Sequence, residues 1–180
     1  MDFEELGLLE LIIERGAAAL DGAPEGLRKD KGAMAEAIEN NVRRTIVDEN
    51  PVNPKYYEKM SVLLDELIAL RRQQAISYQD YLEQVRELAI KVKRPASAGG
   101  SAYPASVDTL AKRSLYDNLG QDEVLVAKID AAVRYNKKAD WNGDRLKEKE
   151  IAFAIAEETK GYDVTVAEVM ELVKAQQEYH

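Results

Sequence analysis

The sequence lacks cysteine altogether, and its single histidine, His180, is the last of 180 residues. The absence of thiols excludes disulfide bonds, thiolate zinc sites and cysteine nucleophiles, and it fits a reducing cytoplasm. His180 stands where a purification tag would begin, and we assign it no role. Without an internal histidine, catalysis would have to use carboxylates, lysine or tyrosine as its acid and base.

Long apolar runs and a basic leader are missing as well. No stretch approaches the ~20 apolar residues that span a bilayer, and the chain opens with the acidic segment 1–5, where a signal peptide would be basic. We therefore expect a cytoplasmic protein without an export signal or a membrane partner. The net charge of −8 excludes a surface that binds phosphate everywhere, although a local basic patch remains open.

Apolar residues recur every three to four positions along most of the chain, and no segment alternates with the period of a β-strand. The sequence therefore predicts an all-α, multi-helix bundle of about seven to eight helices. We expect these helices over the ranges 3–20, 34–47, 54–74, 77–93, 107–119, 122–138, 144–159 and 165–179.

Capping residues mark the starts of several of these helices, and a short link and a longer flexible segment separate them into groups. Asn53 before Pro54 is typical of an N-cap followed by proline at the first helical position, and Ser77 and Thr165 begin further capping patterns. The short link after residue 74 predicts a helical hairpin over 53–93. The Gly-, Ser- and Pro-rich segment 95–104 is predicted to be a linker between an N-terminal subdomain, 1–94, and a C-terminal subdomain, 105–180.

The candidate catalytic and metal-binding motifs of this sequence are better explained as structural features. The chain has neither of the glycine-rich motifs that cradle phosphate. Asp140, Asn142 and Asp144 occupy the first, third and fifth positions of an EF-hand-like loop, but Arg145 and Ile151 stand where glycine and glutamate are required. We interpret this segment as a turn with Asp144 as an N-cap. No catalytic, cofactor-binding or metal-binding residue is predicted.

Basic and tyrosine-rich clusters are the remaining candidates. Lysine and arginine at the ends of helices complement the helix dipole, and this is the simplest interpretation. The alternative is contact with backbone phosphate or with a protein partner, for which tyrosine rings are also well suited. The candidate partner or DNA contacts are Arg43, Arg44, Lys55, Tyr56, Tyr57, Arg71 and Arg72.

Several segments, in order along nearly the whole chain, carry a family resemblance. The most specific is 51–60, Pro-Val-Asn-Pro-Lys-Tyr-Tyr-Glu-Lys-Met. The others are 3–8, 12–16, 38–43, 75–78, 103–106, 115–119 and 140–141. With these segments the chain resembles the C-terminal helical region of the R (motor and restriction) subunit of type I restriction enzymes.

The resemblance implies that this chain is the excised tail of an ATP-dependent type I site-specific deoxyribonuclease, with Met1 added at its start. The nuclease and helicase motor domains, which require ATP and Mg, would lie upstream. The tail itself is expected to be a non-catalytic assembly domain that packs on the motor domains and docks to the methyltransferase and specificity subunits. In that way it would support DNA translocation and cleavage by the whole complex.

Three alternatives differ in the partner that they predict. In the first, the arginines form a DNA-backbone-contacting helical module. The second is a stand-alone helical scaffold for protein interaction. A carboxylate–metal hydrolase around Asp140 or Asp144 is the third, and we do not expect it because the diagnostic metal-ligand positions are filled by other residue types.

Overall fold

The computed structural model describes residues 2–16, 25–96 and 102–180, without the side chains of residues 2–6, 27 and 28. The chain divides into two compact units. Unit 1 is formed from the segments 1–49 and 57–98, and unit 2 from the segments 50–56 and 99–180. The described residues are helical and contain no strand, so the predicted all-α multi-helix fold is confirmed.

The described residues contain eight α-helices of nine residues or more and one helix of five residues. Short 3₁₀ turns occupy Asn50–Val52 and Gln177–Tyr179. In chain order the α-helices are α1 Asp2–Arg15, α2 Glu25–Lys29, α3 Lys31–Glu49, α4 Pro54–Arg72, α5 Tyr78–Lys93, α6 Leu110–Asn118, α7 Glu123–Asn136, α8 Arg145–Glu158 and α9 Val166–Lys174.

Unit 1 is built on helices α1, α3 and α5, which pack against one another in pairs. Their buried stripes have the three-to-four spacing that the sequence shows, and α4 adds a fourth stripe. The guanidinium of Arg86 on α5 donates to the carbonyl oxygens of Ile12 and Ile13, which lie near the end of α1. This contact satisfies carbonyl groups that have no partner within the helix itself.

Unit 2 is built on the pair α7 and α8, with α6 and α9 packed beside them. One apolar cluster joins these helices, and it includes Trp141 and Tyr179 among its largest fully buried side chains. The Trp141 indole donates to the carbonyl oxygen of Tyr179, and the Tyr179 hydroxyl donates to Asp130 at 2.6 Å. The last residues of the chain are therefore part of the core of this unit.

The predicted N-caps are confirmed. Asp80 donates its backbone N–H to Ser77, and Asp144 accepts from the backbone of the first turn of α8. Thr165 and Glu168 form a complete capping box. Asn53 accepts from the backbone N–H of Tyr56 at 3.3 Å, as expected for a cap of α4.

Four predicted helix ends differ from the structure by three residues or more. Helix α3 begins at Lys31 instead of 34. The first helix ends at Arg15, before Gly16 with its positive φ of 62°, and the predicted continuation over 17–20 lies outside the described residues. Helix α6 begins at Leu110 instead of 107, because Thr109 is its N-cap. Helix α9 ends at Lys174 instead of 179, and a 3₁₀ turn follows it.

The predicted subdomains differ from the units in one segment. Residues 50–56, which the prediction places in the N-terminal subdomain, belong to unit 2. The reason is a set of hydrogen bonds from this segment to α6 and to Gln176, which is described below. Half of the predicted linker 95–104, residues 97–101, lies outside the described residues.

Candidate protein-interaction surface

The predicted contact residue Arg71 is used inside unit 1. Its guanidinium binds both carboxylate oxygens of Glu39, with Nε–Oε1 at 2.7 Å and Nη2–Oε2 at 3.1 Å. Glu39 is only 4% exposed, and the Tyr81 hydroxyl also donates to it at 3.0 Å. The hydrogen bond to Glu39 raises the pKa of Arg71. Burial raises the pKa of Tyr81, and the negative charge of Glu39 raises it further.

The two predicted tyrosines differ in their surroundings. Tyr57 is buried, and its hydroxyl donates to the carbonyl oxygen of Val92 at 3.3 Å, so the ring is part of the core of unit 1 and does not stand at its rim. Tyr56 is half-buried, and burial, reinforced by the charge of Asp117, raises its pKa. Tyr57 is therefore inaccessible to a partner that binds at the surface of unit 1.

The other predicted basic residues remain at or near the surface. Arg43 forms an exposed ion pair with Asp65 at 2.6 Å, whereas Arg44, Lys55 and Arg72 are exposed. The seven predicted contacts divide between the two units, because Lys55 and Tyr56 belong to unit 2 and the others to unit 1. They do not form one site within either unit.

A polar cluster holds the segment 50–56, which contains Pro51 and Pro54 and which we call the proline corner, in unit 2. Asn53 donates to the Asp117 carboxylate at 2.8 Å and accepts from the Asn118 amide at 2.7 Å. The Tyr103 hydroxyl donates to the same Asp117 oxygen at 2.7 Å. We call Asn53, Tyr103, Asp117 and Asn118 the corner cluster.

Backbone contacts strengthen this attachment. The carbonyl oxygen of Val52 accepts from the Ser114 hydroxyl at 2.7 Å and from the Gln176 amide at 2.8 Å. Both donors are buried. If the corner moved away, Ser114 would lose this hydrogen bond, and Gln176 would keep only its bond to Leu172. Three segments that carry the family resemblance, 51–60, 103–106 and 115–119, therefore meet in one hydrogen-bonded structure, and its role is to anchor the corner.

Helix α8 is unusual because it presents apolar residues on two sides. Ile151 and Ile155 are buried in unit 2, whereas Phe153, about half a turn from each of them, is 70% exposed. On α7, Tyr135 is 90% exposed and lies on the same face as Ala127 and Ala131. A helix at the surface ordinarily has polar residues opposite its buried stripe. These helices therefore have an apolar face that is not covered within the described part of unit 2.

A groove of about 610 Å³ follows this face. It is open to solvent, and its walls are mostly small or apolar side chains, with three charged side chains among them. We call this the α7–α8 groove. Its lining residues are Ala127, Lys128, Ala131, Ala132, Tyr135, Asn136, Ala154, Glu157 and Glu158.

Two of the three charged side chains that line the α7–α8 groove have a partner nearby, and the third has no ion-pair partner among the described residues. Glu157 pairs with Lys160 at 2.7 Å, and the Lys128 ammonium lies 5.6 Å from the centre of the Tyr162 ring. Glu158 has no ion-pair partner among the residues that the structure describes. The groove therefore has an apolar floor and one carboxylate that is available for a cation.

The contact prediction missed this surface because it concentrated on arginine and tyrosine pairs. A usable signal exists in the segment 151–156, Ile-Ala-Phe-Ala-Ile-Ala, which is apolar at every position. A six-residue apolar run on a short amphipathic helix must show apolar residues on more than one side. Tyr135 carries no such signal, since its exposure depends on which face of α7 is buried.

Nothing in the described ranges forms a group of three or more acidic, histidine or cysteine side chains that could hold a metal ion. Asp144, as predicted, is an N-cap, and hydrogen bonds from the backbone N–H groups of Lys147 and Leu146 lower its pKa.

No helix within 2–16, 25–96 or 102–180 has the length and hydropathy that crossing a membrane requires. Comparisons with family models, with curated proteins and with solved structures found no match.

Proposed function

We propose that this chain is a non-catalytic assembly domain from the R subunit of a type I restriction enzyme. It acts in the cytoplasm, where it docks the motor to the methyltransferase and specificity subunits, and the exposed apolar face of α7 and α8 makes the contact. ATP and Mg serve the parent enzyme and not this domain. The sequence resemblance supplies the identity of the complex, and the uncovered apolar face supports a docking role.

The observation that carries this proposal is the exposure of two aromatic residues: Tyr135, which lines the α7–α8 groove, and Phe153, which precedes the lining residue Ala154. Single apolar residues at a surface need no explanation, but a contiguous apolar patch marks an interaction site. Aromatic side chains bury about 150–250 Å² each when a partner covers them. At roughly 25 cal/mol per Å², full burial of two such rings gives a hydrophobic gain of about 8–12 kcal/mol, from which the entropic costs of association are subtracted.

The alternative of a DNA-contacting module is less well supported. Of the arginines that it requires, Arg71 is held by the buried Glu39 carboxylate, and Arg43 is paired with Asp65. Releasing Arg71 to a phosphate would leave Glu39 buried without its cation, which is strongly unfavourable. The net charge of −8 adds a long-range repulsion from DNA.

Binding of the purified chain to the purified, DNA-free methyltransferase core tests the proposed function. We expect a complex that survives size-exclusion chromatography and that forms equally well after nuclease treatment. An electrophoretic shift assay on the chain alone separates the DNA alternative, since phosphate contacts weaken steeply with salt. A well-folded chain that fails to bind the core would contradict the proposed function.

A further inference from the structure

We propose that the α7–α8 groove receives an amphipathic helix of a partner subunit, with an apolar stripe against Tyr135 and a lysine or arginine paired with Glu158. This inference rests on the proposed function and specifies the chemistry of the docking segment. Two independent features of the structure support it. They are the shape of the groove and the negative charge of Glu158.

The shape favours a helix over an extended peptide. An extended segment gains its affinity by pairing with the edge of a sheet, and the described parts of both units contain no strand. A helix instead lays its apolar face into a groove between two helices. The alanine floor at positions 127, 131 and 154 allows close approach of the axes, within the roughly 8–10 Å that is normal for packed helices.

Tyr135 is the natural anchor for such a helix. Its ring lines the groove and is 90% exposed, so a partner would remove nearly all of its surface from water. Tyrosine is also among the residues that most often dominate the affinity of an interface, since its apolar ring and its hydroxyl can both be satisfied there.

The charge of the groove determines the polarity of its occupant. Lys128 and Glu157 already have local partners in Tyr162 and Lys160. Glu158 remains, and a carboxylate that lines an otherwise largely apolar groove favours a lysine or arginine on the incoming helix. A second copy that docked through its own groove would not match this requirement, because it would bring two further carboxylates and one lysine to the same surface.

Tyr135→Ser tests the anchor. Binding to the purified methyltransferase core should weaken by about 30-fold or more, the change that separates dominant interface residues from neutral ones. Val47→Ser is the control, because Val47 is an apolar side chain of unit 1 that is 66% exposed and lies outside the groove. We expect it to leave binding unchanged. Equal binding by the wild type and Tyr135→Ser would overturn the inference.

Glu158→Lys tests the charge. At low salt we expect binding to fall by about 10-fold, with the difference shrinking as salt screens the pair. Glu171→Lys, at an exposed position of α9 outside the groove, makes the same charge reversal and should have little effect. An equal loss for both variants would mean that net charge, and not a pair with Glu158, controls binding, and it would overturn this part of the proposal.

A photo-crosslinking amino acid at position 135 identifies the occupant directly. With the core as partner, we expect the crosslinked peptide to lie on a helix that carries an apolar stripe and a nearby lysine or arginine. Reversing that cation should restore binding to Glu158→Lys. Crosslinks to a second copy of this chain, to a non-helical segment or to added DNA would each overturn the inference.

The two proposals fail in different ways. If the core binds the wild type and the Tyr135→Ser and Glu158→Lys variants equally, the docking function stands and the groove is not its site. If the core does not bind the folded wild-type chain at all, the proposed function fails, and the inference fails with it.

Discussion

Replacing Arg71 with methionine should destabilise unit 1 by about 3 kcal/mol. The substitution keeps most of the apolar stem but removes the guanidinium that binds both oxygens of Glu39. The Glu39 side chain is only 6% exposed and keeps one hydrogen bond, from the Tyr81 hydroxyl. Removing one partner of a buried pair costs about 3–5 kcal/mol, and we take the lower end because the Arg71 side chain is 18% exposed.

A second change tests the stated cause of this loss. Glu39→Gln combined with Arg71→Met removes the buried charge, while the side-chain carbonyl still accepts a hydrogen bond from Tyr81. We therefore expect the double variant to recover more than half of the loss, which is a strongly non-additive result. Arg43→Met is the matched control, because the Arg43–Asp65 pair has the same charges at 2.6 Å but is exposed. Its loss should stay below about 1 kcal/mol.

Urea unfolding followed by far-ultraviolet circular dichroism gives the free energy of unfolding for each variant. A cost for Arg71→Met no larger than that for Arg43→Met would show that the buried Glu39 carboxylate does not determine the loss. A double variant as unstable as Arg71→Met would show that the loss comes from packing and not from the stranded carboxylate.

Two further predictions concern buried polar groups. Burial raises the pKa of Tyr81, Tyr103 and Tyr179 above the ordinary value of 10.0, so the stability that these rings give is complete below pH 10 and is lost as the pH rises further. Their phenolate absorbance should appear only with unfolding, and a reversible titration of every tyrosine near pH 10 in the folded protein would contradict this. Asn53→Ala should cost about 2 kcal/mol, since it removes an N-cap and two bonds of the corner cluster. Thermal unfolding against Asn40→Ala, at an exposed position of α3, measures the difference, and equal losses would argue against the cluster as an anchor.

Local signals in the sequence were sufficient for most of the fold. The N-caps at Ser77, Asp144 and Thr165 depend on residues two to three positions apart, and all three are present in the structure. Helix ends were less predictable where the deciding group is distant in sequence. Helix α9 stops at Lys174, and the Gln176 side chain just beyond it donates to Leu172 and to Val52.

The candidate surface required knowledge of the tertiary structure. Arg71 and Arg72 are neighbours with identical chemistry, but only Arg71 meets Glu39, which is 32 residues away. Likewise, Phe153 and Ile155 lie in one apolar run, and only packing decides that Phe153 faces outwards. Composition can thus indicate that a helix has too many apolar residues, but it cannot indicate which of them a partner would meet.

The corner cluster also has a consequence for the order in which unit 2 is completed. Val52 and Asn53 leave the ribosome well before their partners, since Asn53 lies 64 residues from Asp117 and Val52 lies 124 residues from Gln176. Loops of this length must close before the contacts can form, and non-local contacts of this kind slow folding. During synthesis the corner cluster can form only after α6 has emerged, because Asp117 and Asn118 lie on that helix. The bond from Gln176 to Val52 must wait longer, until the residues after α9 have emerged.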